Sequence, residues 1–238
     1  MLVAGVNKLH PIYAVDTTEK KVAFSFDATW GSTRTPLILQ TLEEYDIKTT
    51  FFLTNIWLNS YPQVAQEIVA KGHEPALHTA NHPDLTKVSE ERIRSELLEN
   101  AAKIEEVTGQ KAYLFRPPYG AYNNRVITIA EEEKMVPVQW SIDSLDWKNL
   151  SAGEITKRIT DRIKPGAIIL FHNDGANTPQ ALKPIIDYLT KEGYSIVPIS
   201  ELIYKENYYI DVNGIQKARE VPKAEAPEAA PPGEQPAE

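Results

Sequence analysis

Ala167-Ile168-Ile169-Leu170-Phe171-His172 is a run of five apolar residues that stops on a histidine. A continuous apolar run of this length is what a strand buried on both faces of a parallel sheet requires. Four other runs stop on a polar residue in the same way. Phe24-Ser25-Phe26 stops at Asp27, and Glu74-Pro75-Ala76-Leu77 stops at His78, with His82 four residues on. Tyr113-Leu114-Phe115 stops at Arg116, and Val138-Gln139-Trp140-Ser141-Ile142 stops at Asp143. In an α/β barrel the C-terminal ends of the strands open on one face, and that face carries the chemistry. Two carboxylates, three histidines and an arginine gathered there suit metal-assisted hydrolysis with a separate base and acid.

The rest of the chain agrees with such a barrel. Strands are expected over 21–27, 49–53, 74–77, 113–115, 136–142, 167–171 and 195–198. Between them lie stretches with helical spacing at 35–45, 62–71, 124–133 and from Thr178 to about Gly193. Ser89 caps a long amphipathic helix that stops at Gly109, and Ser151 with Glu154 forms a capping box. Strands alternating with helices through short connections indicate parallel βαβ units. The expectation is an α/β domain of parallel strands over 20–204. It would be preceded by a lead-in over 1–19 and followed by a hairpin extension over 205–219, marked by Asn213-Gly214. Residues 220–238 are Pro, Ala and Glu with almost nothing larger to bury, which reads as a disordered tail.

Composition narrows the partners. The formal net charge of −8 opposes a polyphosphate, so nucleic acid is not an expected ligand. The chain has no cysteine, which removes disulfides, thiolate ligands and thiol nucleophiles together. No apolar run reaches the roughly 18 residues of a membrane span.

Each candidate residue also has a plainer reading. His78 and His82 are either two donors to one ion or two unrelated loop histidines. Asp27 is either a base or a helix cap. Trp30 offers a face on which a sugar stacks, or it belongs to the core. Arg116-Pro117-Pro118-Tyr119-Gly120 is a rigid turn that either holds the arginine against a carboxylate or leaves it on the surface. His172 is either structural or, beside a carboxylate, a general acid.

Taken in order, five motifs resemble those of the polysaccharide deacetylase family, carbohydrate esterase family 4. They are Phe26-Asp27-Ala28, His78-Thr79-Ala80-Asn81-His82, Arg116 to Gly120, Asp143 to Trp147, and Leu170-Phe171-His172. The form Phe-Asp-Ala-x-Trp-Gly resembles the branch found in spore-forming bacteria. The resemblance implies a distorted (β/α) barrel of about seven or eight parallel strands, and a metal-dependent hydrolase that removes N-acetyl groups from an amino-sugar polymer, chitin-like or peptidoglycan. A xylan O-acetyl esterase and a non-catalytic carbohydrate-binding protein are the alternatives. It implies Asp27 as base, His78 and His82 as ligands of a zinc-like ion, and Arg116 as the group that orients Asp27. The Tyr119 backbone N–H would serve the oxyanion, Asp143 would pair with the acid His172, and Trp147 and Leu170 would wall the acetyl slot. An acetylated polysaccharide partner and an extracytoplasmic location follow from the same likeness. One position departs from the pattern. The family usually has a second aspartate, a metal ligand, where this chain has Ala28, so weakened metal binding is expected.

Overall fold

A computed structural model describes residues 8–219, so the expected tail over 220–238 and the start of the lead-in, 1–7, lie outside the described residues. The strands are β1 (Ala14–Val15), β2 (Lys21–Ala28), β3 (Thr50–Leu53), β4 (Glu74–Leu77), β5 (Leu114–Phe115), β6 (Val136–Pro137), β7 (Ile142–Asp143), β8 (Ile168–His172), β9 (Ser195–Val197), β10 (Tyr208–Ile210) and β11 (Ile215–Ala218). The α-helices are α1 (Thr35–Glu44), α2 (Asn55–Ser60), α3 (Pro62–Ala70), α4 (Glu90–Thr108), α5 (Asn124–Glu132), α6 (Ala152–Thr160), α7 (Thr178–Lys191) and α8 (Ile199–Leu202).

The main sheet runs β6-β5-β4-β3-β2-β8-β7, and every pairing in it is parallel. Ala23 of β2 pairs with both Ile168 and Val197, so β9 lies on the edge of β2 opposite β8. The strand expected over 136–142 is two strands, and they occupy the two ends of this order. Laid flat, seven strands would set β6 and β7 six spacings of about 4.8 Å apart, roughly 29 Å. The chain from Pro137 to Ile142 spans at most about 18 Å. The sheet must therefore curl, and residues 138–141 join its two ends, with Val138 N–H bonded to the Phe115 carbonyl and Ser141 N–H to the Ile168 carbonyl. The lead-in fills the seam: Ile12 donates to the Pro137 carbonyl at 3.0 Å and accepts from Gln139 N–H at 2.7 Å, and Ala14 bridges to Ala167.

Strand alternation sorts the side chains into two layers. Val22, Phe24, Phe26 and Ala28 of β2 join the apolar layer under the helices. There Phe26 stacks on Phe51 and Phe171, with ring centroids 4.9 and 5.3 Å apart. Ala23 faces the barrel interior with Phe52, Ala76, Leu114, Val138 and Ile168, and α8 contributes Ile199 and Leu202 to the same cluster. Ser25 and Asp27 share that inward face, so the top of the interior is polar.

β10 and β11 form an antiparallel hairpin, and β11 also pairs with β1 in a separate three-stranded sheet. Its turn requires Gly214, which has φ 76°; a Cβ there would meet the Tyr13 ring at 2.3 Å. No helix among the described residues is long and apolar enough to cross a membrane.

His73 lies at the end of the barrel away from the strand C-termini and is buried. Its Nδ1 accepts from Thr49 N–H at 3.2 Å, a bond only the neutral ring makes. Burial, with Lys48 and Lys71 nearby, lowers its pKa from 6.5 to about 4. The unfolded chain therefore binds a proton between those values that the folded chain refuses. The stabilisation is complete above about pH 6.5 and is lost as the pH falls toward 4, amounting to about 3 kcal/mol. His73→Asn keeps an acceptor for Thr49 without titrating. In urea unfolding at pH 7 and pH 4 it should lose less stability than the wild type by about that amount; equal losses would contradict this account.

Candidate active site

The sheet register assembles the site. Asp27 pairs with His172 across β2 and β8, Asp143 with Leu170 across β7 and β8, and Leu77 with Phe115 just before His78 and Arg116. Asp27 and His172 are thus one strand spacing apart, about 4.8 Å. Asp27, His78, His82, Asp143, Leu170 and His172 line one cavity of about 720 Å³, together with Trp30, Tyr119 and Trp147. Arg116 lies beneath it, fully buried. All ten residues singled out from the sequence thus belong to one site.

Arg116 donates to Asp27 Oδ1 at 2.7 Å, to Ser25 Oγ at 2.9 Å and to the Gln139 carbonyl at 3.0 Å. Its guanidinium lies 4.0 Å over the Phe52 ring. Burial pushes the Asp27 carboxyl up, but the Arg116 charge, aided by His78 and His172, outweighs it and holds Asp27 below the usual carboxylate range. Asp27 is therefore ionised at neutral pH, as a base must be.

His78 Nδ1 lies 2.8 Å from the Arg116 carbonyl. A carbonyl only accepts, so the proton is on Nδ1 and the Nε2 lone pair is free, 3.6 Å from Asp27 Oδ2. The His82 ring packs edge-on against His78, with centroids 4.9 Å apart, and its buried Nδ1 has no hydrogen-bond partner. Burial lowers both imidazole pKa values, that of His82 to about 4 with His78 contributing, so both rings are neutral. An orphaned buried nitrogen beside a free lone pair suits a divalent cation held by two imidazoles. No group of three or more His, Asp or Glu suited to an ion gathers among the described residues. Ala28 is fully buried in the outer apolar layer and brings no carboxylate to the pair.

The partner of His172 differs from the expected one. Its Nδ1 donates to Asp146 Oδ1 at 2.7 Å, while its backbone N–H and the Thr178 hydroxyl donate to Asp146 Oδ2 at 2.8 and 2.7 Å. Asp143 instead uses its carboxylate to accept from Leu145 N–H at 2.8 Å. The reason is the turn. Leu145 adopts φ 56°, which carries Asp146 under the imidazole and leaves Asp143 on the cavity wall. Burial alone would lower the His172 pKa, but the hydrogen bond and charge of Asp146, then Asp27 and Asp143, raise it. The site thus holds an anionic carboxylate and an imidazole biased toward the cation on adjacent strands.

The rim is aromatic. Trp30, Tyr119 and Trp147 are 66%, 70% and 55% exposed. Exposed rings around a polar cavity suit ligands with both apolar faces and hydroxyl edges. Tyr119 has φ 60°, and its ring packs against His82 with centroids 4.6 Å apart. Ser25, Gln139, Asp146 and Thr178 were not assigned roles from the sequence. Ser25 carries the clearest signal, a hydroxyl two residues before Asp27 on the same face of an apolar strand.

A family model described as polysaccharide deacetylase matches residues 14–138. A peptidoglycan-N-acetylglucosamine deacetylase of Bacillus cereus is 33% identical over 196 residues, covering 80% of this chain and 92% of that protein. One of Listeria monocytogenes is 35% identical, covering 78% of this chain and 39% of that protein. The crystal structure of a CE4 family pseudoenzyme from Bacillus anthracis is similar with a TM-score of 0.78 and 34% identity, covering 81% of this chain and 68% of that one. A mutant of that pseudoenzyme is described as having restored enzymatic activity. The chain spans 60% and 39% of the first two distinct curated relatives it matches.

Removing Arg116 leaves the Asp27 charge buried and unpaired, which costs about 3–5 kcal/mol. Arg116→Met should lose that much in urea unfolding at pH 7, and less in an Asp27→Asn background. A loss below roughly 1 kcal/mol, the range of exposed ion pairs, would contradict the buried pairing.

Proposed function

Because the chain belongs to the polysaccharide deacetylase family, we propose that it hydrolyses N-acetyl groups on an acetylated amino-sugar polymer of the peptidoglycan type, outside the cytoplasm. The observation that carries this reading is the pairing in register of an ionised Asp27 with a His172 biased toward its cation, both facing one aromatic-rimmed cavity.

Asp27 takes a proton from water as its oxygen attacks the acetyl carbonyl carbon. The Tyr119 backbone N–H donates to the oxyanion that develops, a role a positioned donor fills without reorganisation. His172, held by Asp146, gives its proton to the departing nitrogen as the C–N bond breaks. Acetic acid, which ionises to acetate in water, and a free amine result, and Asp27 passes the proton it took to His172, so both residues return to their starting states. Arg116 keeps Asp27 ionised and oriented. Leu170 and Trp147 wall the acetyl methyl, and Asp143 adds negative charge near His172. His78 and His82 would hold a divalent cation of the zinc kind, which when bound supplies Lewis-acid polarisation of water and carbonyl.

With alanine at 28 that cation has two imidazoles and no dedicated carboxylate, so its binding is weak. Zinc titration of the metal-free protein should show a tighter complex in Ala28→Asp than in the wild type; equal affinities would remove this part of the reading. The same alanine, and the pseudoenzyme among similar structures, favour the second reading of a non-catalytic carbohydrate binder.

Acetate release separates the two. N-acetylated glycan strands from peptidoglycan and chito-oligomers, assayed with and without added zinc or cobalt, should yield acetate in the wild type. Asp27→Asn and His172→Ala should each lower the rate by roughly 10²-fold or more. Binding of the glycan with no acetate released under any metal condition would leave the binding-protein reading standing.

A further inference from the structure

The two histidines sit on an unusual piece of backbone. Thr79 has φ 71° and His82 has φ 55°, so two residues that are not glycine hold left-handed conformations within four positions. Thr79 is β-branched and fully buried, the kind of residue least suited to that region. Such a conformation persists only where its surroundings fix it.

The fixing comes from one face of α4. Glu96 and Asn100 are four residues apart on that helix, and both are fully buried. Asn100 Oδ1 accepts from His78 N–H at 2.9 Å, and its amide donates to the Leu53 carbonyl and to Asn55 Oδ1 at 2.9 and 2.8 Å. Glu96 Oε2 accepts from Asn81 N–H at 2.7 Å and Oε1 from the Asn81 side chain at 3.0 Å, with the Arg92 guanidinium 2.5 Å away. The Glu96 backbone carbonyl accepts from Ala80 N–H at 3.1 Å. Every residue from His78 to Asn81 except Thr79 is thus bonded to α4. Thr79 closes the loop on itself through its hydroxyl, which accepts from His82 N–H at 3.0 Å.

A fully buried carboxylate on a helix is costly unless it is satisfied, and this one spends its acceptor capacity on the peptide between the histidines. We propose that Glu96, through Asn81, is a positioning residue that sets the separation of the His78 and His82 rings and so the affinity of the pair for a divalent cation. Glu96 touches neither ring. Its effect passes through backbone, as outer groups that orient ligands commonly act. The inference rests on the reading of His78 and His82 as the ion's donors.

Glu96→Gln keeps the volume but turns one oxygen into an NH₂ that must face either the Asn81 amide or Arg92, donor against donor. Asn81→Ala removes the side-chain bond to Oε1, keeps the backbone N–H bond to Oε2, and sits at an exposed position. Zinc titration of the metal-free full chain, wild type and variants, at a temperature where each is folded by circular dichroism, reads the affinity directly. Amide exchange at 79–82 without metal reads the loop.

Glu96→Gln should weaken zinc binding about tenfold. Asn81→Ala should weaken it less, and the double variant should bind no worse than Glu96→Gln alone, because Asn81→Ala removes one of the two bonds that Glu96→Gln disturbs. Exchange at 80–82 should rise in each. His82→Ala, the control for the donor reading, should abolish most of the binding. If His82→Ala weakens binding while folded Glu96→Gln binds zinc as the wild type does, the positioning role is overturned and the donor reading survives. A lower melting temperature with unchanged affinity assigns Glu96 a purely structural role and overturns the proposal equally. Zinc binding that is absent in the wild type or undiminished in His82→Ala overturns the donor reading, and the positioning role with it.

Discussion

The contact between Arg116 and Asp27 is the constraint on which the upper half of the barrel depends. A fully buried guanidinium must find acceptors for its N–H groups and an anion for its charge. Its two terminal nitrogens find Asp27, the Ser25 hydroxyl and the Gln139 carbonyl, its Nε has no hydrogen-bond partner, and it lies over the Phe52 ring. These partners come from β2, from the segment that joins β6 to β7, and from the interior core. The Arg116 carbonyl fixes the tautomer of His78 as well. One residue therefore sets the charge of Asp27, the orientation of His78 and the polar floor of the cavity.

The second organising feature is separation of charge over a short distance. Asp27 and His172 are register neighbours, yet their surroundings drive them in opposite directions. Arg116 beneath Asp27 favours the anion, and Asp146 beneath His172 favours the cation. Each is backed by a buried partner of opposite sign, so neither needs the other to be neutralised. Two titratable groups held apart in this way can supply a base and an acid at the same pH.

Much of this was legible in the sequence because a parallel sheet writes its geometry into short apolar runs. Where such a run stops on a polar residue, the strand reaches the functional face; this holds for Asp27, His78, Arg116, Asp143 and His172. What escaped depends on distant groups. Residues 136–142 alternate as one strand would, and only the seam with Ile12 and the bond of Ser141 N–H to the Ile168 carbonyl divide them. Asp143 and Asp146 are both acids in one short turn. The choice of partner for His172 is made by the left-handed Leu145 and by Thr178, more than thirty residues on. Helix α2 is six residues long and carries too little periodicity to be seen; Thr54, whose hydroxyl accepts from Trp57 N–H, marks it only in retrospect. Glu96 and Asn100 read as the polar side of an amphipathic helix. They are interior because the loop carrying the histidines needs acceptors for its N–H groups.

On the proposed function, Asp27 and His172 address the same acetyl group from adjacent strands. A crystal structure with a short N-acetylated glycan bound tests it most directly. The account predicts the acetyl carbonyl carbon inside the cavity, within reach of a water on Asp27, with the amide nitrogen facing His172 and the sugar rings on Trp30, Tyr119 or Trp147. A glycan lying across the aromatic rim with every acetyl group directed away from Asp27 and His172 would contradict it.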